Sequence, residues 1–362
     1  MSEQNFLHQY SEEKYKDELA ALAKADKSPK PENWKLSPKA VVHFLMGGPL
    51  GSKVKISPKY FGDRRLIEVA VASLATDRAL LLVGVPGTAK TWVSEHIAAA
   101  ICGDSKILVQ GTAGIMEDAL RYGWNYATLL KDGPSMDAIV PSPVMYAMQS
   151  GKIARIEELT RIPSDVQDSL LTVLSEKSLP VPELNQEIRA VSGFNIIATS
   201  NTRDKGVNEL SAALQRRFNV VELPLPKYLK DEVKIVQNRL DAIKYTVELE
   251  KNAIPEAAVL KLVQVFRELR NGIVEEGSIK LKSPSAGLST AEAISVLNNA
   301  QVLATHFGDG VVSDKDLAVG LTNAVLKDPQ NDRAIFNEYL EVVMKNREEM
   351  KPLYDACKAL IF

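Results

Sequence analysis

Short apolar runs alternate with helix-like segments along the first 223 residues of the chain. In segments such as 64–76 and 164–176, apolar residues recur every three or four positions, which is the spacing of one helical face. This alternation predicts an α/β fold with a mostly parallel sheet and helices on both of its faces. The runs that would form the strands are residues 79–83, 106–110, 152–156, 194–199 and 220–223.

From residue 227 onward the strand-like runs nearly vanish, and helical spacing takes over. We therefore predict a second domain that is entirely helical. Its expected helices cover residues 230–240, 256–269, 290–303, 314–326 and 333–345. The predicted parts of the chain are a polar N-terminal extension over 1–54, an α/β core over 55–226, a helical domain over 227–330 and a C-terminal helical extension over 331–362.

Two inserts within the α/β core have the pattern of β-hairpins. The first would pair 124–130 with 136–140 around the turn at 131–135, and the second would pair 179–181 with 187–191. Aromatic residues in the first insert, such as Tyr126, could grip a substrate, but aromatic pairs also pack ordinary hairpins.

Residues 84–91 read GVPGTAKT and lie between an apolar run and a segment, 92–100, whose composition suits a helix. This is the context of a phosphate-binding loop, in which backbone N–H groups point at phosphate oxygens. Lys90 would reach the β and γ phosphates of ATP, and its side chain should face solvent without nucleotide. The Thr91 hydroxyl would ligate Mg²⁺, and Ala89 stands where the usual pattern has its second glycine. The residues expected around the nucleotide are Gly84, Val85, Pro86, Gly87, Thr88, Ala89, Lys90, Thr91 and Trp92.

Two carboxylates, Glu157 and Glu158, follow the strand predicted over 152–156. Ligands of open α/β sheets bind at this end of the strands. One carboxylate could position Mg²⁺, and the other could polarise water for attack on the γ-phosphate of ATP. An acidic turn on the surface would have the same pattern.

Further polar residues follow the next two predicted elements. The amide of Asn201, after the strand over 194–199, could hydrogen-bond both water and phosphate, although an Asn here is commonly a turn residue. Arg216 and Arg217 end a predicted helix, where cations interact favourably with the helix dipole. Alternatively they supply an arginine finger, a cation that stabilises transferred phosphoryl charge in a neighbouring subunit.

Composition excludes several classes of function. The net charge of −2 and the pI of about 6.2 give no electrostatic signature of nucleic-acid binding. Two cysteines are too few for a disulfide framework, and the four histidines lack the partners of a metal site. No apolar run reaches the length of a membrane-spanning helix, and the N-terminus does not open like a signal peptide, so we expect a cytoplasmic protein.

Taken in order, the motifs GVPGTAKT, IARIEELTRIPSDVQDSLLTVLSE, NIIATSN and LSAALQRRF resemble those of an AAA+ ATPase of the MoxR type, in the dynein-related branch. The resemblance covers residues 55–330. It implies a P-loop NTPase αβα sandwich with a helical lid, and typically a ring hexamer. It also implies ATP-driven remodelling or metal loading of a protein partner, often one that carries a von Willebrand factor A domain.

The resemblance also implies roles for single residues. Glu157 and Glu158 match the Walker B pair, with Glu157 at the Mg²⁺ and Glu158 as the catalytic carboxylate. Asn201 matches sensor 1 and Arg217 the arginine finger, while the two inserts would face a central pore. Lys90 and Thr91 match the Walker A pair, as the residues themselves indicate.

Three residues depart from the pattern of the family. Glu157 stands where Asp is usual, so we expect Glu157→Asp to be tolerated. Arg155 interrupts an otherwise apolar strand, and Ala291 stands where the lid has an arginine. The main prediction is Mg-ATP hydrolysis that remodels a protein partner. Two alternatives are an ATP-dependent scaffold with little hydrolysis and a nucleic-acid motor, and the acidic pI disfavours the motor.

Overall fold

The chain forms two compact units, an α/β unit over residues 8–85 and 89–224, and a helical unit made mainly of residues 225–362. The first eight residues of the predicted N-terminal extension lie outside the part of the chain that the structure describes. That structure is a computed structural model, and it describes residues 9–52, 54–201, 208–242, 254–274, 279–285 and 287–361.

The α/β unit alternates strands and helices over most of its length. Its helices are α1 (Ser11–Lys14), α2 (Lys16–Ala25), α3 (Pro38–Met46), α4 (Arg64–Leu74), α5 (Lys90–Cys102), α6 (Tyr126–Asp132), α7 (Pro143–Ser150), α8 (Ser164–Asp168), α9 (Leu170–Glu176) and α10 (Ala212–Gln215). Its strands are β1 (Gly48–Leu50), β2 (Val54–Ile56), β3 (Ala79–Gly84), β4 (Leu108–Gln110), β5 (Tyr122–Trp124), β6 (Ile139–Pro141), β7 (Ile153–Glu157), β8 (Ser178–Val181), β9 (Gln186–Arg189), β10 (Asn195–Asn201) and β11 (Phe218–Glu222).

Five of the strands form a parallel sheet in the order β11–β3–β10–β7–β4. Successive side chains of a strand point to opposite faces, and here both faces are buried. Leu80 and Leu82 of β3 pack in one apolar layer with helices α3, α4 and α5. Ala79 and Leu81 pack in the other layer, with α7 and α9. The predicted αβα sandwich with a parallel sheet is confirmed.

The first insert differs from its prediction. Only β5 and β6 pair, antiparallel, and the segment between them forms α6 where an extended strand over 124–130 was expected. The side chain of Asn125 accepts a hydrogen bond from the backbone N–H of Thr128 and so starts the helix. Gly133 ends it with a φ of 78°, a conformation that glycine adopts without steric cost. The second predicted hairpin is present as β8 paired with β9.

The predicted polar extension contributes to the core of the α/β unit. Leu22, Trp34, Leu36 and Phe44 are buried in the same apolar layer as β3. Because β1 and β2 also form a short antiparallel hairpin, residues 9–52 and 54–56 are built into the unit.

The helical unit has one apolar core. Its helices are α11 (Leu229–Ala242), α12 (Glu256–Asn271), α13 (Thr290–Phe307), α14 (Asp314–Val325), α15 (Pro329–Val342) and α16 (Lys351–Ile361). The last helix lies within the predicted C-terminal helical extension, and its Leu353 and Cys357 pack into the same core as Phe266. Beside them the buried Glu268 carboxylate accepts hydrogen bonds from Tyr339 and Arg347. Across the described residues, no helix has the length and apolar character that crossing a membrane requires.

A buried lysine ties the N-terminal segment to the α/β unit. The Lys59 ammonium lies 4.3 and 4.2 Å from the ring centroids of Tyr15 and Phe44, and it forms an ion pair with Glu18. Burial lowers the pKa of Lys59 to about 8, although Glu18 counteracts part of that shift. A buried cation of this kind needs its counter-ion.

Glu18→Ala should therefore destabilise the α/β unit by about 2 kcal/mol, because it leaves Lys59 buried without its carboxylate. Urea unfolding followed by tryptophan fluorescence measures this unit selectively, since all three tryptophans, Trp34, Trp92 and Trp124, belong to it. The matched control is Glu13→Ala, which removes an exposed pair with Lys106 and should cost less than about 1 kcal/mol. Equal losses in the two variants would contradict the prediction.

Candidate nucleotide site

The loop between β3 and α5 has the backbone shape that the sequence motif requires. Gly87 has a φ of 84°, and Ala89, at the N-cap of α5, has a φ of 64°. The left-handed conformation costs a residue with a side chain about 1 kcal/mol, which explains the glycine that usually stands at position 89. Alanine tolerates the conformation here with the smallest side chain available.

Lys90 does not face solvent, so that part of the prediction is wrong. Only 8% of the residue is exposed, and its Nζ donates hydrogen bonds of 3.0 Å to the carbonyl oxygens of both Gly84 and Val85. An ammonium group buried in an apolar setting needs acceptors, and the carbonyls of the loop supply them. Lys90 is thus held across its own loop.

The Glu157 carboxylate lies at the centre of the site and is 2% exposed. Its Oε2 accepts hydrogen bonds from the hydroxyls of Thr91, at 2.8 Å, and Thr199, at 2.6 Å. Its Oε1 accepts from the Ser94 hydroxyl at 2.6 Å and from Nη2 of Arg155 at 2.9 Å. Donors from α5, β7 and β10 therefore converge on one side chain.

The donor set at this point suits Mg²⁺. The Thr91 hydroxyl and the Glu157 carboxylate are oxygen ligands, which Mg²⁺ prefers, and they lie 2.8 Å apart. Mg²⁺ in nucleotide sites takes one or two protein ligands and fills its other positions with water and phosphate oxygens. Thr91 and Glu157, the two predicted metal ligands, are therefore brought together.

Glu158 has a left-handed backbone, with φ 55° and ψ 49°. Its carboxylate pairs with Nε of Arg161 at 2.5 Å, and 34% of the side chain is exposed. Its backbone N–H donates to the Thr199 hydroxyl, which itself donates to Glu157. A strained backbone at a single residue is common at functional sites. The two adjacent carboxylates thus have separate environments, one buried and one partly exposed.

The strand register decides where the remaining predicted residues lie. Asn201 pairs with Gly84 at the carboxyl edge of the sheet, beside the start of the loop. Arg217 precedes β11, and its carbonyl oxygen accepts from the N–H of Ala79 at the opposite edge. Five strand positions of about 3.3 Å each separate Ala79 from Gly84, about 16 Å in all. Asn201 is therefore brought to the loop of its own chain, and Arg217 is not.

Arg216 and Arg217 differ in their surroundings. The Arg217 guanidinium donates to the Ser175 hydroxyl and to the Ala213 carbonyl, each at 2.8 Å. Arg216 is exposed, and its carbonyl oxygen accepts a hydrogen bond from Arg78. Arg217 is therefore oriented by its neighbours, whereas the Arg216 side chain extends from the surface.

Three polar residues at the site were missed in the sequence, namely Ser94, Thr199 and Ser105. Ser94 follows Thr91 by three positions, so the two lie on one face of α5. Thr199 was assigned to a strand without a role, and Ser105 accepts from Arg155 through its carbonyl oxygen. Helical spacing was a usable signal for Ser94 only.

Comparisons with known proteins identify the family. Residues 79–218 match the AAA domain of the dynein-related subfamily, and residues 230–355 match the YehL-like AAA+ ATPase C-terminal domain. The chain is 40% identical to the uncharacterized protein YehL of Escherichia coli over 343 residues, 92% of each chain. The chain belongs to the YehL-like AAA+ ATPases. The dynein-related AAA+ family inferred from the sequence is confirmed, and a MoxR-type protein is consistent with it.

More distant relatives match less of the chain. The uncharacterized protein SH1500 of Staphylococcus haemolyticus is 25% identical over 224 residues, 61% of this chain and 81% of that protein. NtrX from Brucella abortus, solved in complex with ADP, aligns with 81% of this chain and 62% of its own, at 15% identity and a TM-score of 0.47. Family membership makes the α/β unit an AAA+ P-loop NTPase domain.

Gly111 keeps the two carboxylates in place, because its N–H donates to the Glu157 carbonyl and a Cβ there would lie 2.3 Å from the Glu158 carbonyl oxygen. Gly111→Ala should therefore displace the carboxyl end of β7, which carries Glu157 and Glu158. We expect it to lower the stability of the α/β unit by about 1–3 kcal/mol and to weaken nucleotide binding. The control is Gly114→Ala, whose Cβ would meet no atom within 4 Å. Thermal unfolding and nucleotide titration measure both effects, and identical behaviour of the two variants would refute the role of Gly111.

Proposed function

We propose that this protein binds Mg-ATP and hydrolyses it within a ring of identical chains, and that it uses the energy to remodel or activate a protein partner. The observation that carries the proposal is the pairing of Thr91 with the buried Glu157 carboxylate at the start of α5. In P-loop NTPases a hydroxyl and a carboxylate so arranged hold the metal that neutralises the phosphate charge.

Each residue of the site has a part in this proposal. Lys90 leaves the loop carbonyls for the β and γ phosphates, where its charge is better compensated. Glu158 orients and polarises the attacking water after it separates from Arg161. Asn201 supports that water from the neighbouring strand end.

The position of Arg217 supports assembly into a ring. About 16 Å of sheet lies between this end of β11 and the phosphate loop of the same chain, so Arg217 would act on the nucleotide of a neighbour. A head-to-tail contact repeated around an axis generates a closed ring, and a hexamer is the form that the family resemblance implies.

A protein partner is supported by the first insert. Two large apolar side chains are exposed there, with Leu130 at 88% and Tyr126 at 72%. The two residues are four positions apart on α6 and so lie on one face of that helix, and exposed apolar side chains that lie close together mark surfaces that contact other proteins. We propose a chaperone-like role on a folded partner, with a von Willebrand factor A domain protein as the first candidate to test.

The second candidate function is an ATP-dependent scaffold with little hydrolysis. The ion pair between Glu158 and Arg161 favours it, because the carboxylate oxygen that Arg161 engages is not available to orient an attacking water. The rate of phosphate release at saturating ATP distinguishes this scaffold from an ATPase that hydrolyses ATP to remodel its partner.

Two single variants test binding and turnover separately. Lys90→Ala should abolish tight ATP binding, because no other side chain of the loop carries a positive charge. Glu158→Gln should keep ATP binding and lose turnover by about 100-fold or more, because the amide is not a base. Calorimetric titration of ATP and steady-state phosphate release give the two readouts. A Glu158→Gln protein with normal turnover would rule out Glu158 as the catalytic carboxylate.

Mixed rings test the shared site. Arg217→Ala and Lys90→Ala should each be inactive alone, with losses of about 10³-fold for Arg217→Ala if it is an arginine finger. Co-assembled rings should regain activity, because an intact loop of one chain meets an intact Arg217 of the next. The ATPase rate is measured against the mixing ratio after subunit exchange, with co-assembly followed by fluorescence transfer between labelled chains. An ATPase rate that stays constant at every mixing ratio, in rings shown to contain both variants, would contradict catalysis across subunits.

A further inference from the structure

An ion pair is buried inside the strand that carries the carboxylates. Arg155 and Glu157 are two positions apart on β7, so their side chains lie on the same face of the sheet. The side chains are 4% and 3% exposed, and Nη2 of Arg155 lies 2.9 Å from Oε1 of Glu157. A charge in the core of a sheet is costly to bury, and the family resemblance gives Arg155 no role.

The Arg155 guanidinium makes contacts to three further groups of the α/β unit. Its Nε donates to the Ser94 hydroxyl at 3.1 Å, and its Nη1 donates to the Ser105 carbonyl at 2.9 Å. Nη2 also approaches the carbonyl oxygen of Thr91 at 3.3 Å. The planar guanidinium is therefore held by hydrogen bonds from all three of its nitrogen atoms. A lysine has a single ammonium nitrogen and could not reproduce this set of contacts.

The two oxygens of the Glu157 carboxylate have different partners. Oε1 faces Arg155 and Ser94, and Oε2 faces the hydroxyls of Thr91 and Thr199. The additional methylene of glutamate relative to aspartate lets the carboxylate span both sets of donors. Thus Oε1 is held by Arg155 and Ser94, and Oε2 is presented to Thr91 in the first turn of α5.

We propose that Arg155 is a positioning residue of the magnesium–nucleotide site: by holding Oε1 of Glu157, it aims Oε2 at the metal position beside Thr91. The inference rests on the proposed function, since it requires that the site bind a magnesium–nucleotide complex. Residues that orient a metal ligand through hydrogen bonds change metal affinity by about 10–100-fold when they are replaced.

The proposal reverses an expectation from the sequence. Aspartate is usual in the family, yet in this chain Glu157→Asp would shorten the side chain while the Arg155 cation stays buried. The shorter carboxylate would have to give up either Arg155 or Thr91. Arg155 and Glu157 therefore act as a pair. Replacing both residues should weaken magnesium-dependent nucleotide binding less than the two single replacements together imply.

The test is a double-mutant cycle on the full-length chain with Arg155→Met, Glu157→Asp and the double variant. Binding of the non-hydrolysable analogue AMP-PNP is titrated by calorimetry in Mg²⁺ and in EDTA, and the ratio of the two Kd values is the gain from magnesium. Each single variant should reduce this gain about tenfold or more. The double variant should recover part of it, because the shorter carboxylate would then face Thr91 with no buried cation behind it.

Controls separate this inference from the proposed function and from a general loss of stability. Lys152→Met breaks a partly exposed pair with Asp104 next to the start of β7 and should leave the magnesium gain unchanged. If Arg155→Met does not fold, Arg155→Lys takes its place in the cycle. Absence of nucleotide binding or of any magnesium gain in the unmodified protein would refute the proposed function. Two results would overturn the role of Arg155. In the first, the unmodified protein shows a normal magnesium gain and the folded Arg155 and Glu157 variants keep it. In the second, the reductions of the magnesium gain in the two single variants simply multiply in the double variant.

Discussion

The buried Glu157 carboxylate is the constraint on which the site depends. A charged group in the interior of a sheet must be compensated on every side, and its donors come from α5, from β10 and from its own strand β7. The helix and the two strands can supply these donors only in one arrangement relative to each other. Satisfying a single carboxylate therefore also aligns the phosphate loop with the strand ends on which catalysis would depend.

The same principle governs the N-terminal segment. Lys59 is buried between two aromatic rings and needs the carboxylate of Glu18 from α2. Glu12 of α1 likewise accepts two hydrogen bonds from the buried Ser105, whose carbonyl oxygen accepts from Arg155. The segment that is polar in the sequence thus contacts a residue adjacent to the nucleotide site.

The parallel sheet places two groups of candidate site residues at its two opposite edges. Strand ends at the carboxyl edge carry Gly84, Glu157 and Asn201, while the opposite edge carries Arg217. Because every strand of this sheet runs in the same direction, a residue that precedes a strand cannot reach the loop that follows a neighbouring strand. A site that uses both edges requires a second chain, which is the physical basis of the proposed ring.

The sequence by itself determined the sheet and helix layers, the phosphate loop and the pair Glu157–Glu158, because these depend on periodicity and on the spacing of neighbouring residues. It did not reveal that Lys90 is buried against Gly84 and Val85, or that α6 occupies the first insert. Only the tertiary structure decided the partners of Arg155, since Ser94 and Ser105 lie 61 and 50 positions away along the chain. Periodicity and local spacing carry no record of such distant contacts, and a buried charge shows its purpose only when its partners are in place.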